Sequence, residues 1–183
     1  MKPILQVEDD PNDVFFLQRA MTKACVENDV HVASDGQQAI DYLQGAGKFA
    51  DRQKFPLPCL VLLDLKLPLV MGLDVLRWIR QESGLALPVV MLTASAQTAD
   101  IATAYALGAN AFLVKPSQAG KLEEMVKAIK DFWLTHNTLP PESHRERTPA
   151  HGRQRPPVAA ANHVRRLNGT RREEWPRHLR QIK

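Results

Sequence analysis

The stretch PCLVLLDLKLPLVMGLDVLRWIR, residues 58–80, changes its hydrophobic period halfway along. Cys59–Leu63 is an unbroken apolar run, too short for a buried helix and of the right length for a strand covered on both faces. After the turn residues Pro68 and Gly72, Leu73, Leu76 and Ile79 recur at intervals of three and line one face of a helix. Between the two stands Asp64, a charge where a buried strand tolerates none. Strand, polar residue, loop and amphipathic helix make one βα unit.

The same grammar recurs outward in both directions. Ile4–Val7, Val30–Ala33, Val89–Leu92 and Ala111–Val114 read as four more strands. The first helix is expected to open with Asp10 as N-cap and Pro11 at its first position, with Val14, Leu17, Met21 and Cys25 on its inner face. The last is expected to start near Ser117 and to bury Leu122, Met125, Val126, Ile129 and Trp133. Gly45, Gly47 and the polar stretch to Pro58 form a long loop, and residues 83–87 a shorter one. Gly72, Gly108 and Pro68 read as ordinary turn residues. Five βα units predict an α/β fold with a parallel sheet.

The units end near Leu139, and the charge changes there. Residues 140–183 hold 11 Lys and Arg against 4 Asp and Glu, a balance of +7, which leaves 13 against 16, or −3, in residues 1–139. Pro140, Pro141, Pro149, Pro156 and Pro157 punctuate this stretch, which has few large apolar residues and reads as a weakly ordered basic tail. No apolar run approaches a membrane span and acidic residues begin at Glu8, so a soluble cytoplasmic protein is expected. Cys25 and Cys59 lie in apolar segments and read as buried free thiols.

Chemistry is concentrated at the strand ends. The first strand runs into Glu8, Asp9 and Asp10, the third into Asp64, the fourth into Thr93 and the fifth into Lys115. In a parallel sheet these ends share one edge, where open α/β sheets bind their ligands. Converging carboxylates repel unless a cation neutralises them, and an all-oxygen ligand set suits a hard ion such as Mg2+. Lys115 and the Thr93 hydroxyl add donors for a phosphoryl group. Acidic ligands, a carboxylate nucleophile and donors for the transferred group point to phosphoryl transfer. Asp10 is better explained as a helix cap than as a ligand.

ILQVEDDPNDVFFLQRAM, LVLLDLKLPLVMGLDVLRWIR, PVVMLTASA and GANAFLVKPS together resemble the receiver domain of response regulators over about residues 1–139. GLDVLRWIR and KDFWLTHNTLP are similar to the small regulators associated with bacterial phytochromes. The resemblance implies a flavodoxin-like, doubly wound five-stranded parallel sheet of order 2-1-3-4-5 with helices on both faces. It implies that Asp64 accepts a phosphoryl group from the phosphohistidine of a sensor histidine kinase. Mg2+ would be held by Asp9, Asp64 and the backbone carbonyl of Lys66, with Glu8 acting through water. The family often has Asp at that last position, and Glu8 keeps the charge while lengthening the reach. Thr93 and Lys115 would bind the phosphoryl group, Pro116 would complete a Lys-Pro pair joined by a cis bond, and Phe112 would be the switch aromatic beside Thr93.

The same resemblance implies a homodimer through helix four, strand five and helix five. Phe132, Trp133 and Leu134 at the chain end of helix five cannot all face the sheet, so at least one is expected on the surface. Two other functions compete. A DNA-binding regulator could use the basic tail, but no helix-turn-helix, zinc-ligand spacing or stacking module follows Leu139, and nucleic acid is not expected as a partner. A phosphatase with an aspartyl-phosphate intermediate would place its nucleophile after the first strand in a DxD pattern, and here the sequence reads Glu8-Asp9-Asp10. A phosphoacceptor rather than an enzyme is the expectation.

Overall fold

The computed structural model describes residues 1–138. The expected basic tail, 140–183, and the expected boundary at Leu139 lie outside them. Five strands, β1 (Ile4–Val7), β2 (Val30–Ala33), β3 (Leu60–Leu63), β4 (Val89–Thr93) and β5 (Ala111–Val114), form one parallel sheet in the order β2-β1-β3-β4-β5. The helices are α1 (Pro11–Lys23), α2 (Gly36–Gln44), α3 (Gly72–Gln81), α4 (Thr98–Ala106) and α5 (Ala119–Ile129).

Alternate strand residues serve opposite faces, and both faces are covered. Leu5, Val7, Val61, Leu63, Val89 and Met91 pack with residues of α2, α3 and α4, among them Tyr42, Val75, Leu76, Ile79 and Ala104. Ile4, Leu60, Leu62, Val90 and Leu92 pack with Leu17, Ala20 and Met21 of α1 and Val126 and Ile129 of α5. The three inner strands are wholly buried, while the edge strands β2 and β5 are only partly covered. Gln6 on β1 is buried, neither of its side-chain amide atoms has a partner among the described residues, and nothing in the fold explains it.

The helix starts follow their local chemistry. Asp10 caps α1 by accepting from Asn12 N at 2.8 Å, and Pro11 occupies the first turn. Asp35 does the same for α2, accepting from Gln38 N at 2.7 Å. Two expectations fail at helix ends. Cys25 is exposed, not buried, because α1 stops at Lys23 and the chain turns through a left-handed residue at Cys25 (φ 53°). The last α-helix starts at Ala119 and gives way after Ile129 to a π-helical turn over Lys130–His136, which still packs Trp133 and Leu134 against the core on the α1–α5 side and leaves Phe132 exposed.

The long loop before β3 folds onto α2. Phe55 stands edge-on to Tyr42 and to Phe49, and Phe49 is tilted against Tyr42, with ring centroids 5.1–6.1 Å apart. The Tyr42 hydroxyl donates to Pro56 O at 2.8 Å and lies 2.7 Å from His31 Nδ1, tying the loop to edge strand β2. Burial pushes the Tyr42 phenol up to about 12 against an ordinary 10. Because the folded value is raised, this contribution to stability is complete below pH 10 and is lost as pH rises toward about 12. Tyr42→Phe removes both hydrogen bonds and is expected to cost about 1–3 kcal/mol at neutral pH. The gap between wild type and variant should narrow above pH 10, which urea unfolding at several pH values would measure; a constant gap would count against this origin.

Candidate functional site

All the residues singled out at strand ends lie at the carboxyl edge of the sheet, but they are not equally close. Carboxylate oxygens of Glu8, Asp9 and Asp64 lie within 4.8 Å of one another. Glu8 and Asp64 are buried, at 5% and 7% exposure, and Asp9 is open to solvent. Parallel pairing explains the meeting, since Val7 pairs with Leu63 and the next residue of each strand leaves the sheet at the same level. Asp64 N donates to Val7 O at 3.1 Å, and Lys66 N donates to Asp64 Oδ2 at 2.8 Å, so the carboxylate is held by its own loop. Asp10 caps α1 and stands outside the cluster.

Lys115 supplies the counter-charge. Its Nζ is hydrogen-bonded to Glu8 Oε2 and to Asp13 Oδ2 (2.8 Å) and lies 3.5 Å from Asp64 Oδ1. Burial alone would lower the ammonium, but the hydrogen bonds to Asp13 and Glu8 and the Asp64 charge outweigh it and hold Lys115 above its usual range. For Glu8 burial wins over the Lys115 contact and raises the carboxyl above its usual range. Three carboxylates this close, with an all-oxygen donor set, fit a hard divalent cation, because one lysine cannot balance their combined charge with Asp13 as well.

Thr93 is the last residue of β4 and 2% exposed, and its Oγ1 accepts from Ser95 N at 3.3 Å. Lys115 N donates to Thr93 O at 2.8 Å, so the ends of β4 and β5 are fastened together. Phe112 is partly buried against the α2–α4 side of the sheet, one layer below. Pro116 lines a cleft between α1 and α5 with Asp13, Phe16, Leu17 and Lys115. Its bond to Lys115 is trans, contrary to expectation; no peptide among the described residues is cis, and trans is the lower-energy form even before proline.

Three participants escaped the sequence reading. Asp13 was not singled out; it lies in the first turn of α1, and only the fold puts it on Lys115. Gly72 is no turn glycine. It opens α3, and a Cβ there would fall on the carbonyl oxygen and carbon of Asp64. At Gly36 a Cβ would strike the Val70 carbonyl, so α2 and the β3–α3 loop also meet backbone to backbone. Gly108, with φ +95°, does serve a turn.

A doubly wound parallel sheet carrying a carboxylate cluster and a lysine at its carboxyl edge defines a phosphoacceptor switch. Residues 4–127 match the family described as response regulator receiver domain, and the chain belongs to that family. It acts in phosphoacceptor signalling of the two-component kind. The chain is 36% identical to response regulator Rcp1 of Synechocystis over 76% of its length and 93% of the relative's. Among solved structures it is similar to the phosphorylated cyanobacterial phytochrome response regulator RcpA (TM-score 0.70, 36% identity, 76% of this chain and 98% of that one). It is also similar to the bacteriophytochrome response regulator RtBRR (TM-score 0.60, 42% identity, 77% and 85%). No described helix is long and apolar enough to cross a membrane.

The Gly72 contact yields a test. Gly72→Ala is expected to lose about 1–3 kcal/mol through overpacking and to weaken divalent-ion binding by displacing Asp64. Gly120→Ala, at an open helical position, should be neutral or gain about 0.5–1 kcal/mol. Thermal melts of both variants with and without Mg2+ measure this, and a Gly72→Ala protein with wild-type metal response would overturn the assignment.

Proposed function

We propose that Asp64 is the phosphoacceptor and that it takes its phosphoryl group from the phosphohistidine of a sensor histidine kinase, of phytochrome type by similarity to RcpA and Rcp1. The observation that carries this reading is the grouping of Asp64 with Glu8 and Asp9 within 4.8 Å, beside Lys115. Phosphoryl transfer needs positioning and charge neutralisation more than covalent machinery, and this edge offers both.

Asp9, Asp64 and the Lys66 carbonyl would hold Mg2+, which supplies charge neutralisation for the transferred group. Glu8, already engaged by Lys115 and by Asp10 N at 3.3 Å, is better placed to act from outside the ligand set. The Mn2+-bound form of response regulator Rcp1 is similar to this chain at TM-score 0.69 and supports a divalent ion here. Thr93 and Lys115 would receive the phosphoryl oxygens, and movement of Thr93 toward them would open room for Phe112, with Pro116 setting the β5–α5 turn. This is a population shift between two packings. The protein is then a phosphoacceptor whose chemistry is confined to its own aspartate, acting in the cytoplasm, and not a phosphatase or a tail-driven DNA-binding regulator.

The expected result with acetyl phosphate and Mg2+ is one phosphoryl group per chain, mapped to Asp64 by mass spectrometry and absent in Asp64→Asn. Labelling of that variant would exclude Asp64 as the acceptor. Asp9→Asn should weaken Mg2+ binding more than Glu8→Gln, and equal affinities would refute the division of roles.

Tyr105 of α4, Val114 of β5 and Phe132 beyond α5 are each about half exposed. We take this face as the surface of a homodimer, since apolar side chains left open on one side of a domain favour association. Sedimentation of the full chain in both phosphorylation states is the check, and a monomer at high concentration in both would refute it.

A further inference from the structure

Lys115 is shared unequally among three carboxylates. The ammonium carries three donors. Two are taken at hydrogen-bonding distance by Glu8 and Asp13, and Asp64 Oδ1 is left at 3.5 Å. Asp13 can impose this because it is fixed. It sits in the first turn of α1, whose start is set by the Asp10 cap and Pro11, while Lys115 is fastened to β4 through its own backbone N–H.

We propose that Asp13 is a positioning residue for Lys115: it holds the ammonium off Asp64, so that the Asp64 carboxylate stays open to a divalent cation and to the incoming phosphoryl group. This rests on the reading of Asp64 as acceptor. Without Asp13 the freed donor has Asp64 Oδ1 as its nearest unfilled carboxylate oxygen. A contact ion pair forms there, and a cation must displace it before binding the same group. The Asp13 side chain is 40% exposed, so its loss leaves no buried group unpaired on the helix.

The experiment is a double-mutant cycle on the full chain, with Mg2+ affinity read by calorimetry for wild type, Asp13→Asn, Lys115→Met and the double variant. Asp13→Asn should weaken Mg2+ binding about fivefold, and in the Lys115→Met background the same change should alter it less than about twofold. The phosphorylation rate of Asp13→Asn with acetyl phosphate should fall at low Mg2+ and return to the wild-type rate at saturating Mg2+, a recovery that damage to the fold would not show. Equal weakening in both backgrounds would mean that Asp13 acts only as a nearby charge and would overturn the proposal, as would unchanged affinity in Asp13→Asn. Failure of the wild-type chain to bind Mg2+ at all would overturn the reading of the site itself, and this inference with it.

Discussion

Mutual repulsion among carboxylates brought together by strand register is the constraint around which this molecule is organised. Val7 and Leu63 are paired, so Glu8 and Asp64 must emerge side by side, with Asp9 next to them. In bulk water such a group would simply separate, but two of the three acids are buried at the mouth of a rigid sheet and cannot. Burial strengthens the repulsion and also any attraction offered in return. Lys115, only 14% exposed, answers part of the charge, and the remainder is what makes the edge receptive to a divalent ion. Stability alone does not account for this arrangement, since buried ion pairs rarely repay the desolvation of their members.

The sheet can hold the repelling groups because its packing tolerates no give. Gly72 brings the start of α3 onto the Asp64 carbonyl, and Gly36 brings α2 onto the loop that follows. That loop carries Leu69 in a left-handed conformation, φ 64°, with its side chain in solvent. A non-glycine residue held at positive φ costs energy, and its retention in the loop that follows Asp64 fits a course dictated by the loop's neighbours. Asp64 is therefore gripped through its own carbonyl, its amide and its Oδ2 before any ligand arrives.

How much of this could be read from the chain depended on the range of the interaction. The strands were legible because apolar runs such as Ile4–Val7 and Leu60–Leu63 have no other stable use, and the α1 start because Asp10-Pro11 acts locally. That strand-end acids share an edge follows from parallel topology alone. Asp13 was not legible, because its partner lies 102 residues away and its position has an adequate local explanation. Gly72 failed for the same reason: glycine after a proline-containing loop suggests a turn, whereas the true cause is a backbone contact with β3. Cys25 was misplaced by extending the helical period past the end of α1, where the face it belonged to no longer exists.

The placement of Lys115 also bears on how a change at the site would reach the surface. Its neighbour Val114 ends edge strand β5, with no further strand beside it among the described residues, and is 44% exposed. A central strand is clamped on both sides, so displacement there breaks two ladders, whereas an edge strand can shift by disturbing one. In the proposed switch, drawing Lys115 from Glu8 and Asp13 toward a phosphoryl group pulls on the one strand end joined to Thr93 by a backbone hydrogen bond. The two residues assigned to the phosphoryl group would then move as a unit. The same strand carries Phe112 one layer below, so in the proposed switch a displacement smaller than a side chain at the acidic end would be delivered to the edge of the sheet.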